Sequence, residues 1–314
     1  MEQINSKQDI INYFEKGCKK ENQLCIGVEH EKFIFDNLTN QRINFETVSK
    51  IFNFLEQFGW KPIKEKDYVI GLSREGQSIT LEPGNQIELS GAKLNSVHLN
   101  CSESYKYLDE LKKACKKLNL KMMSVSFDPF TKLQNAPRTP KQRYEIMTRE
   151  MPKDGKLSLD MMYQTCGTQI NLDYISEKDF IKKFKLSSSL VPISIAIFAN
   201  SPIVENSLSG YLSYRSKVWQ NTSRAGLPKF FLEDMDFEKY ADFVINMPLL
   251  FVLKNSKYLN AEGKKFKDFM DGKLSMLKNI LVIQLLTYFA KLLNDKINIR
   301  SNYFLQLVSW RKWP

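Results

Sequence analysis

The chain has 314 residues, of which 43% are hydrophobic and 12% aromatic, so it can bury a sizeable core and is neither a disordered nor a fibrous protein. No run of 18 uncharged apolar residues occurs and the N-terminus lacks the layout of a secretory signal, which predicts a cytoplasmic protein without membrane spans. The five cysteines form no CxxC pair and have no paired histidines, which argues against a zinc site, and their odd number argues against a purely paired disulfide framework.

The net charge of +11 is concentrated at the end of the chain. From Lys278 onward six basic residues stand against one acidic residue, Asp295, so this segment contributes +5 and all preceding residues only +6. Such an excess fits an enzyme with anionic substrates as well as it fits a nucleic-acid binding protein. The charge alone does not decide between these classes. Together with the other features of the sequence, it leads us to expect small anionic substrates, no nucleic acid and no membrane as partners.

The first acidic pair lies on the first predicted strand. Apolar residues at both ends of the segment 26–35 predict a buried strand, in which Glu29 and Glu31 project from one face and His30 from the other. A lone histidine in such a place is more typical of packing than of ligand binding. The strand follows a short helix that begins with a capping box at Ser6.

The second acidic pair lies on a predicted β-hairpin at residues 76–91. Apolar and polar residues alternate on both sides of a turn sequence, PGN, at residues 83–85. A three-residue loop keeps the apolar side chains of both strands on one face, whereas a two-residue loop would mix the faces. The predicted register pairs Glu82 with Gln86, Leu81 with Ile87, Thr80 with Glu88, and Ile79 with Leu89. Glu82 and Glu88 then share the polar face.

Two carboxylates on one strand face, with no basic residue between them, need a physical reason. Mg²⁺ prefers oxygen ligands, and a magnesium site that is shared with substrate phosphates needs few protein carboxylates. The chain has no P-loop, dinucleotide-binding glycine motif or nucleophile elbow, so metal and basic side chains would have to hold any phosphates. The alternative is an ordinary solvated strand face.

Two arginines are candidates for binding a carboxylate. Arg143 and Tyr144 follow a loop rich in turn residues, where an arginine can bind a carboxylate bidentately or can simply be solvated. Arg215 and Trp219 are four residues apart and would lie one turn apart on a helix. Together they can hold an amino-acid carboxylate beside an aromatic wall, or they can pack on each other as a structural pair.

Residues 165–173 alternate in the manner of a further strand. This pattern predicts that Gln169 and Asn171 share a polar face and that Ile170 and Leu172 enter the core. The other predicted elements are a helix at 94–119, a strand at 122–127, a helix capped by Ser176, a separate apolar helix at 190–198, and a helix at 237–247.

Five segments of the chain, taken together, point to a family. They are GVEHEKF at 27–33, SITLEPGNQIELSGA at 78–92, RYEIM at 143–147, FANSP at 198–202 and SYRSKVW at 213–219. These segments resemble glutamate-cysteine ligase (gamma-glutamylcysteine synthetase) of the plant and proteobacterial type. The resemblance covers roughly residues 20–274 and goes far beyond one motif.

The resemblance implies an α+β fold similar to the catalytic domain of glutamine synthetase and creatine kinase, a curved antiparallel sheet that forms a funnel backed by helices. It implies ligation of the glutamate γ-carboxylate to the cysteine amine through an acyl phosphate made from ATP with Mg²⁺, the first step of glutathione biosynthesis. The implied roles are catalytic magnesium ligands for Glu29, Glu31, Glu82 and Glu88, glutamate binding for Arg215 and Trp219, contact with the amine substrate for Arg143 and Tyr144, and ligand contact for Gln169 and Asn171.

The end of the chain departs from the family. Beyond residue 276, family members are expected to continue through a segment resembling PEVRLK that holds further ligands. We therefore expect an incomplete catalytic domain at 1–275 and a divergent basic tail at 276–314, with a reading-frame change near 276 as a hypothesis. The alternatives to an active glutamate-cysteine ligase are an inactive truncated remnant, a ligase for another amine, and a basic binding module.

Overall fold

The computed structural model describes residues 4–153, 155–222, 233–254, 257–273 and 297–298. Its strands are β1 (Ile26–Asp36), β2 (Lys61–Glu65), β3 (Tyr68–Arg74), β4 (Gln77–Leu81), β5 (Ile87–Ser90), β6 (Leu120–Met123), β7 (Thr168–Leu172), β8 (Ile203–Val204), β9 (Ser207–Leu208), β10 (Phe251–Lys254), β11 (Lys257–Asn260) and β12 (Ile297–Asn298). Its helices are α1 (Lys7–Gly17), α2 (Phe45–Leu55), α3 (Val97–Lys117), α4 (Gln142–Glu150), α5 (Ser158–Gln164), α6 (Glu177–Phe198), α7 (Tyr214–Gln220), α8 (Phe237–Asn246) and α9 (Phe266–Met270).

An antiparallel sheet organises these elements. Its strands follow the order β12-β7-β1-β5-β4-β3-β2, and β6 pairs with the far end of β1. Strands β2 to β5 form a meander of consecutive hairpins, and β1 is inserted between β5 and β7. This combination of helices with an antiparallel sheet confirms the α+β class. The more specific likeness to glutamine synthetase, with its curved funnel, stays a prediction.

The hairpin of β4 and β5 has the register that the sequence predicts. Thr80 pairs with Glu88 and Ile79 with Leu89, and the turn residue Asn85 adopts a left-handed conformation with φ of 57°. The apolar residues on the opposite face are fully buried. They pack with α2 and α3 in a core that includes Phe52 from α2. One face of the sheet therefore packs against a hydrophobic core, and the other face carries the polar side chains.

A second core lies beside β7 and is built from α1, α6, α8 and α9. The predicted capping box of α1 is present, since Ser6 and Asp9 bond reciprocally. The predicted cap of α6 is present as well, with Ser176 Oγ accepting from the Asp179 amide at 3.2 Å. Phe180 anchors α6 to this core.

Two predicted elements differ from the structure. Strand β6 spans 120–123 rather than 122–127, because its position is set by pairing with the end of β1. Residues 177–198 form one helix that continues through Pro192 instead of two helices. Arg143 and Tyr144, for which no helix or strand was predicted, lie on α4.

The boundary predicted at residue 275, the basic tail and the reading-frame change fall on residues outside the described part of the chain, apart from β12. That short strand pairs with β7 through Ile297 and Asn298. Among the described residues, none of the helices has the length and the apolar character needed to cross a membrane.

Candidate active site

Four carboxylates converge on the polar face of the sheet. The Cα atoms of Glu31 and Glu88 are direct cross-strand partners on β1 and β5, and Thr80 on β4 pairs with Glu88. Glu29 lies two residues before Glu31, and Glu82 lies two residues after Thr80. Because cross-strand partners and alternate residues project from the same face, all four acids share one surface.

Glu88 lies close to the carboxylates of the other three acids. The residue is 8% exposed and accepts hydrogen bonds from the Ser90 hydroxyl at 3.0 Å and the Thr80 hydroxyl at 3.3 Å. Burial raises the pKa of the Glu88 carboxyl well above its ordinary value, and the three neighbouring carboxylates raise this pKa further. Such crowding of negative charge favours a bound cation.

Two amides extend the polar face onto β7. Gln169 pairs with Glu29 across the sheet, its Nε2 donates to Asn171 Oδ1 at 3.0 Å, and Asn171 Nδ2 donates to Glu29 Oε1 at 3.3 Å. The prediction that the amides share a polar face is therefore confirmed. The prediction that Ile170 enters the core is wrong, since this residue is 36% exposed while both amides are buried. The amides lie on the face of β7 that continues the surface of the acids, where they bond to each other and to Glu29.

Arg215 reaches this surface from α7. The helix places its guanidinium carbon 5.4 Å from the centroid of the Trp219 ring, which confirms the predicted one-turn spacing. Arg215 is only 1% exposed. A Cβ atom added at Gly167 would lie 3.1 Å from Arg215 Nη2 and 3.8 Å from Glu31 Oε2. The absence of a side chain at this glycine therefore leaves room for the guanidinium near one of the four acids.

Arg143 and Tyr144 lie at the end of the hairpin. The Tyr144 hydroxyl donates to the Leu81 carbonyl oxygen at 2.8 Å, and Arg143 Nη2 donates to the same hydroxyl at 3.1 Å. The Arg143 guanidinium also lies over the Tyr144 ring, 4.9 Å from its centroid. Because Leu81 immediately precedes Glu82, this pair borders the acidic surface.

Lys141 is a basic residue near the site that the sequence patterns did not reveal. It is 4% exposed, and its Nζ donates to the Leu81 carbonyl oxygen at 2.7 Å. The ammonium lies 5.5 Å from the centroid of the Tyr144 ring. In the sequence, Lys141 lies two residues before the RYEIM segment, and no apolar or polar pattern distinguishes it from a lysine on the surface. Only the tertiary fold brings its ammonium to the carbonyl oxygen of Leu81, the residue that precedes Glu82.

A buried ion pair fixes the hairpin turn. Arg42 Nη1 lies 3.0 Å from Asp128 Oδ2, with both side chains nearly inaccessible, and Arg42 Nη2 donates to the Gly84 carbonyl oxygen. The other oxygen of Asp128 accepts from the amides of Phe130 and Thr131. Sequence reasoning missed this pair because its members are 86 residues apart. The pair fixes the turn that precedes β5, the strand that carries Glu88.

The donor set suits magnesium. Four carboxylates and neighbouring amide oxygens supply only hard oxygen ligands, and their mutual repulsion would be relieved by a divalent cation. Within the part of the chain that the structure describes, no three His, Cys, Asp or Glu side chains already surround a single metal position. Magnesium does not require such a cage, because it keeps several waters and usually takes one or two carboxylates together with substrate phosphates.

Comparison with known proteins decides the family. A family model described as glutamate-cysteine ligase family 2 (GCS2) matches residues 25–300. The chain belongs to this family. The match confirms the resemblance on which the sequence prediction rested, and it runs past residue 275, where we placed the end of the catalytic domain.

Curated members of the glutamate-cysteine ligase family align with most of this chain. The chloroplastic glutamate-cysteine ligase of Nicotiana tabacum is 43% identical over 274 residues, which are 86% of this chain and 52% of the relative. The chloroplastic ligase A of Oryza sativa subsp. japonica is 44% identical over 273 residues, with coverages of 86% and 56%. The chloroplastic ligase of Arabidopsis thaliana is 40% identical over 276 residues, with coverages of 87% and 53%. The chain spans about half the length of the curated relatives it matches.

These relatives overturn the predicted cytoplasmic location. All three are chloroplastic enzymes, so a cytoplasmic default inferred from the lack of a secretory signal was wrong. The inference failed because it considered only secretion and membrane insertion as alternatives to the cytoplasm.

Proposed function

We propose that this chain carries the catalytic surface of a glutamate-cysteine ligase that uses ATP and Mg²⁺ in the first step of glutathione biosynthesis. The observation that carries the proposal is the convergence of four carboxylates from β1 and the hairpin, with the buried guanidinium of Arg215 beside them. Family membership supplies the reaction class, and this surface supplies groups suited to it. From the chloroplastic relatives we also infer a plastid location.

The reaction proceeds in two transfers. An oxygen of the glutamate γ-carboxylate attacks the terminal phosphorus of ATP, the bond to the bridging oxygen breaks, and ADP leaves with that electron pair. The cysteine amine then attacks the acyl carbon, phosphate leaves with the electrons of the C–O bond, and the new amide nitrogen loses a proton. An acyl phosphate is reactive, so positioning and neutralisation of charge can account for most of the catalysis.

The residues of the site divide these tasks. Glu29, Glu31, Glu82 and Glu88 would hold Mg²⁺. When bound, the metal offsets phosphate charge. Arg215 binds the α-carboxylate of glutamate, with Trp219 as the wall on which the aliphatic part of the substrate rests. Gln169 and Asn171 orient Glu29 through their hydrogen bonds and present amide groups to the ligand.

The residues around the end of the hairpin act in the second transfer, in which the amine attacks the acyl phosphate. Arg143 and Tyr144 contact the amine substrate, and their mutual hydrogen bond limits the positions available to the guanidinium. Lys141 adds a positive charge beside Glu82, where an anionic intermediate or leaving phosphate benefits from a nearby ammonium. Arg42 and Asp128 touch no substrate and act by holding the turn.

An assay of ADP release with the 314-residue chain tests the proposal. With ATP, Mg²⁺, glutamate and cysteine we expect release that requires all four components, and chromatography should detect γ-glutamylcysteine. Glu82→Gln and Arg215→Ala should each lower kcat/KM by at least a hundredfold. Glu46→Gln is a matched control for the loss of a carboxylate and Lys113→Ala for the loss of a cation, because Glu46 and Lys113 each form an ion pair in which both side chains are more than half exposed.

The result can also contradict the proposal. Turnover with another amine but not cysteine would assign a different acceptor. A folded chain without turnover, which gains activity when the remaining part of a related ligase is added, would make this chain an incomplete enzyme. Salt-sensitive nucleic-acid binding without turnover would favour a binding module instead.

A further inference from the structure

Glu103 is a buried carboxylate on the side of the sheet opposite the four acids. It lies on α3, which packs through Tyr107 and Leu111 against the apolar face of the hairpin. Glu103 is 8% exposed, and its Oε1 accepts a hydrogen bond from the Ala92 amide at 2.7 Å. Among the described residues, its Oε2 has no hydrogen-bond partner. The carboxylate thus bonds to one backbone amide, just beyond the end of β5.

Backbone pairing in the hairpin ends before Ala92. The last pair of β4 with β5 joins Ser78 to Ser90, so the same register would place Ala92 opposite Gly76. Gly76 belongs to the turn between β3 and β4. Glu103 therefore supplies the Ala92 amide with an acceptor at a position where the neighbouring strand has already ended.

The same carboxylate lies against the backbone of Gly91. The Gly91 amide donates to the Val28 carbonyl oxygen of β1 at 2.9 Å. A Cβ atom added at Gly91 would lie 2.8 Å from that oxygen and would also clash with Glu103 Oε2. A side chain at residue 91 therefore does not fit between β1 and the carboxylate. Glu103 and β1 enclose this backbone from two sides.

The enclosed segment directly follows the part of β5 that belongs to the acidic surface. The Cα of Ser90 pairs with that of Glu29 on β1, and the Ser90 hydroxyl donates to Glu88 Oε1 at 3.0 Å. Strand β5 has only four residues, so the position of its last residue depends on how the next two are held. A shift of this end relative to β1 would change the distance between the carboxylates of Glu29 and Glu88.

We propose that Glu103 is a positioning residue for the magnesium surface: it fixes the end of β5 against β1 and thereby sets the spacing of Glu29 and Glu88. The inference rests on the proposed function, because it takes the acidic surface as the metal site. Since α3 covers the opposite face of the sheet, Glu103 contacts neither the metal nor a substrate bound to the acids. Residues that orient metal ligands from behind contribute to metal affinity without touching the ion.

The energetic cost of this carboxylate argues against a role in stability alone. Burial raises the pKa of the Glu103 carboxyl, so its ionised form is disfavoured in the folded protein. The buried Oε2 without a donor adds to this cost. A neutral amide could accept from the Ala92 amide at a smaller cost, but an ionised acceptor forms the shorter and stronger hydrogen bond. The carboxylate therefore favours a firm hold on Ala92 over stability.

Three substitutions at position 103 test this role. Glu103→Gln keeps an acceptor for the Ala92 amide, Glu103→Met keeps the length of the side chain without an acceptor, and Glu103→Asp keeps the charge but is shorter by one methylene group. Hydrogen exchange followed by mass spectrometry should be faster in the peptide after β5 for the Met and Asp variants, and unchanged for the Gln variant. The peptide of α8, which lies in the other core, is the internal control.

Metal affinity separates positioning from structural support. Mn²⁺ binds to the same oxygen ligands as Mg²⁺, and electron paramagnetic resonance measures its free concentration. We expect the affinity for Mn²⁺ to fall about tenfold in Glu103→Met and Glu103→Asp, and by less than about threefold in Glu103→Gln. Urea denaturation without metal should show Glu103→Gln to be at least as stable as the parent protein. Because Glu103→Asp retains a charge at this position, it also serves if Glu103→Met does not fold.

The inference is overturned if the Met and Asp variants bind Mn²⁺ as tightly as the parent protein, even if exchange after β5 becomes faster. It is also overturned if Glu103→Gln loses as much affinity as Glu103→Met, since the bond to Ala92 would then not be the cause. A parent protein that does not bind Mn²⁺ would contradict the magnesium site itself, and this inference with it. Intact Mn²⁺ binding without ligase turnover would contradict only the proposed activity.

Discussion

The replacement Glu88→Gln separates the stability of the acidic surface from its function. Glu88 is buried, its Cα pairs with that of Glu31, and three carboxylates raise the pKa of its carboxyl. In the absence of a cation, the ionised form of this group is therefore a cost to the folded state. The amide has the same shape and can still accept hydrogen bonds from Ser90 and Thr80. We expect the variant to be more stable than the parent protein and to lack ligase activity.

The magnitude follows from the geometry of the pair. Side chains that face each other in an antiparallel sheet have Cβ atoms about 5 Å apart. Two carboxylate charges about 6 Å apart repel by about 3 kcal/mol at an effective dielectric constant of about 20. Part of this gain is lost because the new amide must find an acceptor. We therefore expect the free energy of unfolding to rise by about 1 to 3 kcal/mol at pH 7.5 without Mg²⁺.

The sign of the pH dependence is fixed by the direction of the pKa shift. A carboxyl whose pKa is higher in the folded than in the unfolded protein binds its proton more tightly when folded, so the folded state loses stability as pH rises through the interval between the two pKa values. The advantage of Glu88→Gln should therefore shrink as pH falls toward 4.5, the ordinary pKa of the group. Above the folded-state pKa it should be constant.

Urea denaturation followed by tryptophan fluorescence measures this difference. Spectra at pH 7.5 and at pH 4.5, with and without Mg²⁺, give the free energy of unfolding for the parent protein, Glu88→Gln and the surface control Glu46→Gln. Mg²⁺ should stabilise the parent protein more than Glu88→Gln. A Glu88→Gln protein that is less stable than the parent at pH 7.5, or that responds to Mg²⁺ equally, would refute the reasoning about the acidic surface.

Three further substitutions or measurements test other parts of the structure. Gly167→Ala should raise the KM for glutamate about tenfold, equivalent to about 1.4 kcal/mol, with little change in kcat, because the added Cβ displaces Arg215. Steady-state kinetics measure both constants. An unchanged KM would contradict the assignment of Arg215 to glutamate binding. Asp128→Ala should lower the free energy of unfolding by about 3 to 5 kcal/mol, since it leaves a buried guanidinium without its counter-charge, and a loss below about 1 kcal/mol in urea denaturation would show the pair to be dispensable. Iodoacetamide at pH 8 should modify exposed Cys101 at least a hundredfold faster than buried Cys115. Burial raises the pKa of the Cys115 thiol to about 11, so that about one molecule in a thousand carries the thiolate at this pH. Comparable rates, measured by mass spectrometry, would show that the Cys115 side of α3 opens.

The hairpin shows what local sequence can predict. Its alternation has a period of two, its turn contains residues suited to left-handed conformations, and only one loop length keeps the faces apart. Each of these signals lies within 16 residues, so the register of Thr80 with Glu88 could be predicted without knowledge of the fold. The position of Arg215 relative to Trp219 is likewise local, because helical spacing alone determines it.

Features that depend on distant contacts could not be predicted in this way. The alternation on β7 shows that Gln169 and Ile170 face opposite sides, but not which side is covered. Periodicity favoured the isoleucine as the buried residue, whereas the fold buries the amide beside Glu29. Lys141 and the pair of Arg42 with Asp128 are similar cases, since a charged residue in a loop becomes buried only through segments far away in sequence.

His30 explains how β1 holds two acids in place while forming part of a core. Its side chain projects from the face opposite Glu29 and Glu31, where Nε2 lies 3.0 Å from the Ser104 hydroxyl of α3 and Nδ1 lies 3.5 Å from the Thr168 hydroxyl of β7. Burial lowers the pKa of this ring to about 4, so it is neutral at physiological pH and makes hydrogen bonds without adding charge. The strand thus alternates between residues that bond to the scaffold and residues that present carboxylates. Because a single imidazole joins β1 to both a helix and a neighbouring strand, the backbone that carries the acids is held from behind, as the proposed magnesium site would require.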